Sequence, residues 1–141
     1  MFSKRSLMFN SFKILMKFPN RGMLLQILLV AMLVKLLLLV ISYQRTVKIC
    51  RFLSHANLRY QLTFLELQEL SYRIAATFAI FNHCLVWSLA LFTVFKITFP
   101  ELAIKIGVNQ EAGFQAHAWI ENQGQIIDLS QSNFQEIYCE N

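Results

Sequence analysis

Residues 23–43, "MLLQILLVAMLVKLLLLVISY", are strongly polar only at Gln26 and Lys35, and no other stretch limits the fold as much. So much apolar surface must be turned toward a core, a bilayer or a partner. As a helix rising about 1.5 Å per residue, the run would reach across a hydrocarbon layer roughly 30 Å thick. Lys35 argues against that placement, because a charge at the centre of a span costs about 2.5–3.5 kcal/mol on insertion scales. The flanks do not decide an orientation. Lys13, Lys17 and Arg21 precede the run, and Arg45, Lys48 and Arg51 follow it. A cleaved signal peptide fits poorly, since the run is too long and no small-x-small site follows it. Three readings stay open: a buried core helix, a membrane span, and an interfacial or partner-binding helix.

With 141 residues, the chain is sized for one domain with a real core, and its four glycines and two prolines argue against disorder. Charge is divided sharply along it. Residues 1–65 carry ten Lys or Arg and no Asp or Glu, whereas residues 66–141 carry three basic and eight acidic residues. A basic front half joined to an apolar run points to a membrane surface or an acidic partner. Nucleic acid is not expected, because no basic-aromatic interleaving, zinc-finger spacing or helix-turn-helix pattern is present. Cys50, Cys84 and Cys139 form no CxxC pair and suit a reducing compartment, so a cytoplasmic location is expected, with membrane association through residues 23–43 as the variant. P-loop, GxGxxG and HExxH patterns are lacking.

The pattern divides the chain into a basic segment at 1–22, the apolar helix with its basic connection at 23–62, and a core at 63–141. Pro19, Asn20 and Gly22 mark the first break. Residues 44–62 continue as a basic helical or mixed stretch. Leu67, Leu70, Ile74 and Phe78 recur at three-and-four spacing and predict an amphipathic helix over 63–81. A second helix is expected just after Asn82, a good N-cap, through "CLVWSLALFTVFK". After Pro100 the pattern turns to strands: "LAIKIGV", "FQAHAWIE" and "QIIDL", joined by short glycine-containing turns as an antiparallel meander. Helices followed by a small antiparallel sheet make an α+β fold.

His117 and Asp128, the chain's sole aspartate, flank the second of these turns. If the hairpin pairs Glu121 with Ile126, Trp119 lies opposite Asp128 and His117 is its diagonal neighbour on the same face. If Glu121 pairs with Gln125 instead, Asp128 flips to the other face. An imidazole and a carboxylate so placed suit the activation of a thiol or hydroxyl. Cys84 is the candidate, because at a helix start the unpaired N–H groups and the dipole favour thiolate and can hold an oxyanion. Cysteine at a helix start with His and Asp on strands is the arrangement of papain-like and transglutaminase-like cysteine enzymes.

"CLVWSLAL", "LAIKIGV" and "FQAHAWIENQGQIID" together resemble the leader peptidase family of lasso-peptide biosynthesis, specifically the stand-alone, transglutaminase-like C-terminal half of the B protein. The matching runs cover residues 84–128, and the Leu-rich helix and basic connection over 24–52 are similar more loosely. The resemblance implies a transglutaminase/papain-like core and a cysteine peptidase that removes the leader from a ribosomally made precursor peptide. Cys84 would attack the scissile carbonyl, His117 would shuttle the proton and Asp128 would orient His117. No cofactor or metal is expected. The partners implied by the resemblance are the precursor, a separate leader-recognition protein and an ATP-dependent macrolactam synthetase. The family's acid lies a little further past the turn glycine than Asp128 does.

Simpler explanations stand beside these. A free cysteine such as Cys84 is often an inert core thiol, a strand histidine such as His117 is often a packed one, and Asp128 could merely end a strand. Trp119 reads as packing. His83 is explained by helix-start polarity as well as by an oxyanion role. A zinc site from His83, Cys84, His117 and Cys139 is disfavoured, because adjacent residues diverge on a helix. Gly107 and Gly124 read as close packing and turn. The alternative function is a catalytically inactive scaffold or membrane-associated adaptor in the same kind of complex.

Overall fold

The computed structural model describes residues 21–77, 83–109, 115–127 and 135–140. Among the described residues four helices come first: α1 (Arg21–Val40), α2 (Tyr43–Ser54), α3 (Phe64–Thr77) and α4 (Cys84–Phe95). Four strands follow: β1 (Ala103–Asn109), β2 (Gln115–Asn122), β3 (Gln125–Ile127) and β4 (Gln135–Glu140). Helices then sheet is the α+β order that the sequence predicts.

Helix α4 is the centre of the molecule. Val86 through Phe95 are all buried, so the helix is covered on every side, as an all-round apolar sequence requires. The other helices bury one stripe each. On α1 these are Leu24, Ile27, Ala31 and Val34; on α2, Thr46, Val47, Cys50 and Ser54. Both helices pack on α4. Asn57, just past α2, ties this layer together. Its amide donates to Thr93 O at 2.6 Å, and its Oδ1 accepts from Gln26 Nε2 at 2.6 Å. Tyr60 OH donates to Gln26 Oε1. The start of α1 therefore meets both the end of α2 and the last turn of α4, so α1 runs antiparallel to both.

These contacts answer the question raised by residues 23–43. Residues 23–40 lie in α1, but only its Leu24-to-Val34 stripe is buried, while Leu25, Leu29, Met32, Leu36, Leu39 and Val40 are exposed; the run's last residue, Tyr43, already begins α2. A wholly buried core helix is thereby ruled out. Lys35, four residues after Ala31, stands exposed on the shoulder of the buried stripe.

The third helix is predicted over 63–81 and is described over Phe64–Thr77; residues 78–82, including Phe78, lie outside the described residues. Thr63 and Glu66 form a capping box at its start, with Thr63 N–H donating to the Glu66 carboxylate at 2.7 Å and Glu66 N–H to Thr63 Oγ1 at 3.3 Å. Helix α4 begins as expected, although its N-cap is His83 and not Asn82, which lies outside the described residues.

The sheet order is β3-β2-β1-β4, with all neighbours antiparallel. The first three strands are the expected meander. The fourth is a correction: β4 does not continue it but crosses to pair with β1 on the far edge, with a register shift between Ile106 and Gly107. "QEIYCE" has little apolar alternation, and its pairing with β1 is non-local, which a strand's own pattern does not reveal. Between β2 and β3 the chain turns on Gln123 (φ 51°) and Gly124 (φ 80°), both left-handed, as a two-residue primed hairpin turn requires. A Cβ at Gly124 would meet nothing within 4 Å, so its cost is backbone strain alone. Gly124→Ala is expected to destabilise the fold by about 1–2 kcal/mol, read from urea unfolding, with no loss of packing.

Candidate active site

Cys84 is the first residue of α4 and is half-buried. The N-cap His83 has extended backbone, its carbonyl accepts from Trp87 N–H at 3.1 Å, and its exposed side chain makes no cap bond. The sulfur thus sits where a helix presents unpaired N–H groups. His117 comes to it from β2, and its imidazole hydrogen-bonds to the Cys84 thiol. That bond is the largest cause holding the thiol below the ordinary cysteine range. Burial opposes it, and Ala118 N–H, the charge on His117 and Leu85 N–H add to it.

The backbone of β2 explains how a helix reaches this strand. Among the described residues β3 pairs with β2 at Ile120, Glu121 and Asn122. At Ala118 the backbone bonds instead to the first turns of α4. Ser88, one turn after Cys84, donates its hydroxyl to Ala118 O at 3.0 Å in a buried bond, while Ala118 N–H points to the sulfur. Helix and strand are therefore joined at Ala118, next to the Cys84–His117 contact. Sequence reading missed Ser88, yet the i, i+4 spacing from Cys84 on an apolar helix was a usable signal.

Trp119 stacks on His117, with ring centroids 6.1 Å apart and planes 15° from parallel. Across the sheet His117 faces Gly107, which leaves the imidazole's other neighbour without a side chain. Trp119 is buried, as its reading as packing expects, and its ring also lies against the imidazole. Glu121 on the same face is paired with Lys105 at 3.0 Å. It is thereby committed away from His117.

The hairpin adopts the first of the two registers considered, with Glu121 opposite Ile126. Asp128 itself lies outside the described residues. Cys139 falls in β4, its backbone opposite Lys105 on β1. Cys50 is buried in α2, and burial pushes its thiol up while a bond with Thr93 partly offsets this. Cys50 and Cys84 are thus perturbed in opposite directions. His55 is exposed, with Nδ1 on Arg51 O at 2.8 Å.

Removing the tether should be visible in the thiol. Ser88→Ala leaves a buried carbonyl unpaired, a loss of about 1–3 kcal/mol in stability. The midpoint of Cys84 alkylation with iodoacetamide is expected to move up in pH, because the His117 and Ala118 bonds that lower it loosen together. An unchanged midpoint would mean that Ser88 holds the fold but not the dyad.

A cysteine at the head of a buried helix, hydrogen-bonded to a histidine on an adjoining antiparallel strand, places the chain in the class of α+β domains that pair a thiol with an imidazole. Within that class, the chain belongs to the Transglutaminase-like superfamily, which it matches over residues 28–139. Members of that superfamily are commonly cysteine peptidases or transglutaminases. The match begins inside α1, so most of the apolar helix lies within the domain. No curated protein and no solved structure matches the chain.

Proposed function

We propose that the protein is a cysteine peptidase that removes the leader from a lasso-peptide precursor. The observation that carries the catalytic part is the hydrogen bond between His117 and a thiol held low at the head of α4. Cys84 attacks the scissile carbonyl as thiolate, and the oxyanion that forms is met by the N–H groups at the start of α4. His117, protonated in the resting pair, gives its proton to the departing amine as the carbon–nitrogen bond breaks, leaving a thioester. It then takes a proton from water, which attacks the thioester; the leader departs as a carboxylic acid and the resting pair is restored. Asp128 is assigned the role of orienting His117, on its place in the sequence just past Ile127.

The choice of substrate rests on the resemblance of "CLVWSLAL" and "FQAHAWIENQGQIID" to the lasso-peptide leader peptidases. On the same ground the reaction is expected to need a separate leader-recognition protein, with an ATP-dependent macrolactam synthetase acting on the released core peptide. The test is mass spectrometry of a cognate precursor incubated with this protein and the leader-recognition protein. Release of intact leader and core is the expected result. A folded, partner-bound protein that leaves the precursor whole, with and without the synthetase, would rule the reading out.

A further inference from the structure

We infer that the outer face of the α1–α2 hairpin lies flat on an anionic lipid bilayer. The α1 side of this face is aliphatic: Leu25, Leu29, Met32, Leu33, Leu36, Leu39 and Val40 are all exposed, and helical spacing gathers them opposite the buried Leu24, Ile27, Ala31 and Val34 stripe. From Leu25 to Val40 no charged or hydrogen-bonding side chain interrupts this arc, and Arg21 stands at its N-terminal end in line with Leu39. Such a surface, running the length of a 20-residue helix, is larger than scattered surface leucines explain.

Charge selects the occupant. The arc is bordered by Lys35 on the shoulder toward Ala31, and α2 lies beside it with Arg45 and Lys48 exposed and Phe52 exposed between them in helical projection. Residues 1–65 contain no acidic side chain to oppose an anionic surface. Aliphatic side chains dipping into the acyl boundary beside lysine and arginine at headgroup level are what an interfacial helix presents. A protein partner would ask for something else, since protein interfaces carry about one hydrogen bond per 100–200 Å² and the arc offers none.

The helix lies in the plane and does not cross. To span, α1 would have to leave α4, break the Gln26 bonds to Asn57 and Tyr60, and uncover the apolar side of α4. Packed as it is, α1 has the rest of the domain as its polar side. Lys35 then sits at the water boundary, which removes the objection to a charge in the run.

The experiment is flotation of the full chain with vesicles of phosphatidylcholine alone, or with about one-third phosphatidylglycerol. Flotation separates bound protein, which rises, from aggregate, which sinks. Wild type is expected to float with the anionic vesicles and less with the neutral ones. Leu29→Glu with Leu36→Glu, both at exposed positions, should lower partitioning by roughly tenfold or more. Arg45→Glu with Lys48→Glu should abolish the preference for anionic lipid, because each basic side chain contributes a factor of roughly five. Cys84 alkylation unchanged in these variants establishes that the fold survives. Several outcomes overturn the inference: wild type that stays with neither vesicle, arc variants that float like wild type, or vesicle-bound protein that resists carbonate extraction as a spanning helix does. Self-association through the arc that vesicles do not compete away would assign the face to a second copy instead.

Discussion

Cys84→Ala is expected to abolish leader release while leaving a folded protein. Loss of a catalytic nucleophile alone costs on the order of 10⁶ in kcat in a well-studied triad, about as much as loss of the whole triad. The structure gives reason to expect a clean result. Cys84 is only half-buried, and its sulfur is engaged by His117, Ala118 N–H and Leu85 N–H. Removing it leaves the Val86–Phe95 packing and the Ser88 bond to Ala118 in place. Precursor mass spectrometry beside a urea unfolding curve checks both halves. An inactive scaffold or adaptor would give the same product with Cys84→Ala as with wild type.

The same substitution should change how stability depends on pH. A thiol whose pKa is lowered by folding stabilises the native state above its unfolded pKa, and this contribution fades as pH falls through the folded pKa. For Cys84 that window lies below the ordinary thiol range. Wild type should lose this increment on acidification there, whereas the Ala variant has none to lose. Cys50, raised by burial, acts in the opposite sense and at higher pH, so its effect does not overlap.

The parts of the site that were legible in the sequence are those fixed by local rules. Cys84 could be placed at a helix start because an apolar run begins there after polar residues. The β2–β3 turn could be placed because Gly124 allows a left-handed residue next to Gln123. His117 was then on a strand of known alternation. What local rules leave open is how the pieces meet. The bonding of α4 to β2 at Ala118 and the crossover of β4 onto β1 both depend on non-local contacts. The burial of one stripe of α1 and the exposure of the other is likewise a tertiary outcome. Since the helix is apolar almost all round, its own sequence held no information on which face would pack. The Asn57 amide, which joins Gln26 and Thr93, settles that question from a loop with no periodicity at all.

His117→Ala tests the dyad more sharply than loss of the nucleophile, because the side chain has two duties that pH separates. It is the largest cause of the lowered Cys84 pKa, so its removal should raise the pH midpoint of Cys84 alkylation toward the ordinary thiol range. The bonds from Ala118 and Leu85 N–H remain, and burial acts against them. At neutral pH less thiolate is present, and cleavage should fall by about 10³–10⁴ or more, since proton transfer to the leaving amine is lost as well. Raising the pH restores the thiolate but supplies no acid for the amine. Alkylation of Cys84 in the variant should therefore recover at high pH while peptide cleavage does not. If cleavage recovered in step with alkylation, His117 would be acting on the thiol alone, and the proton for the leaving group would have to come from another side chain.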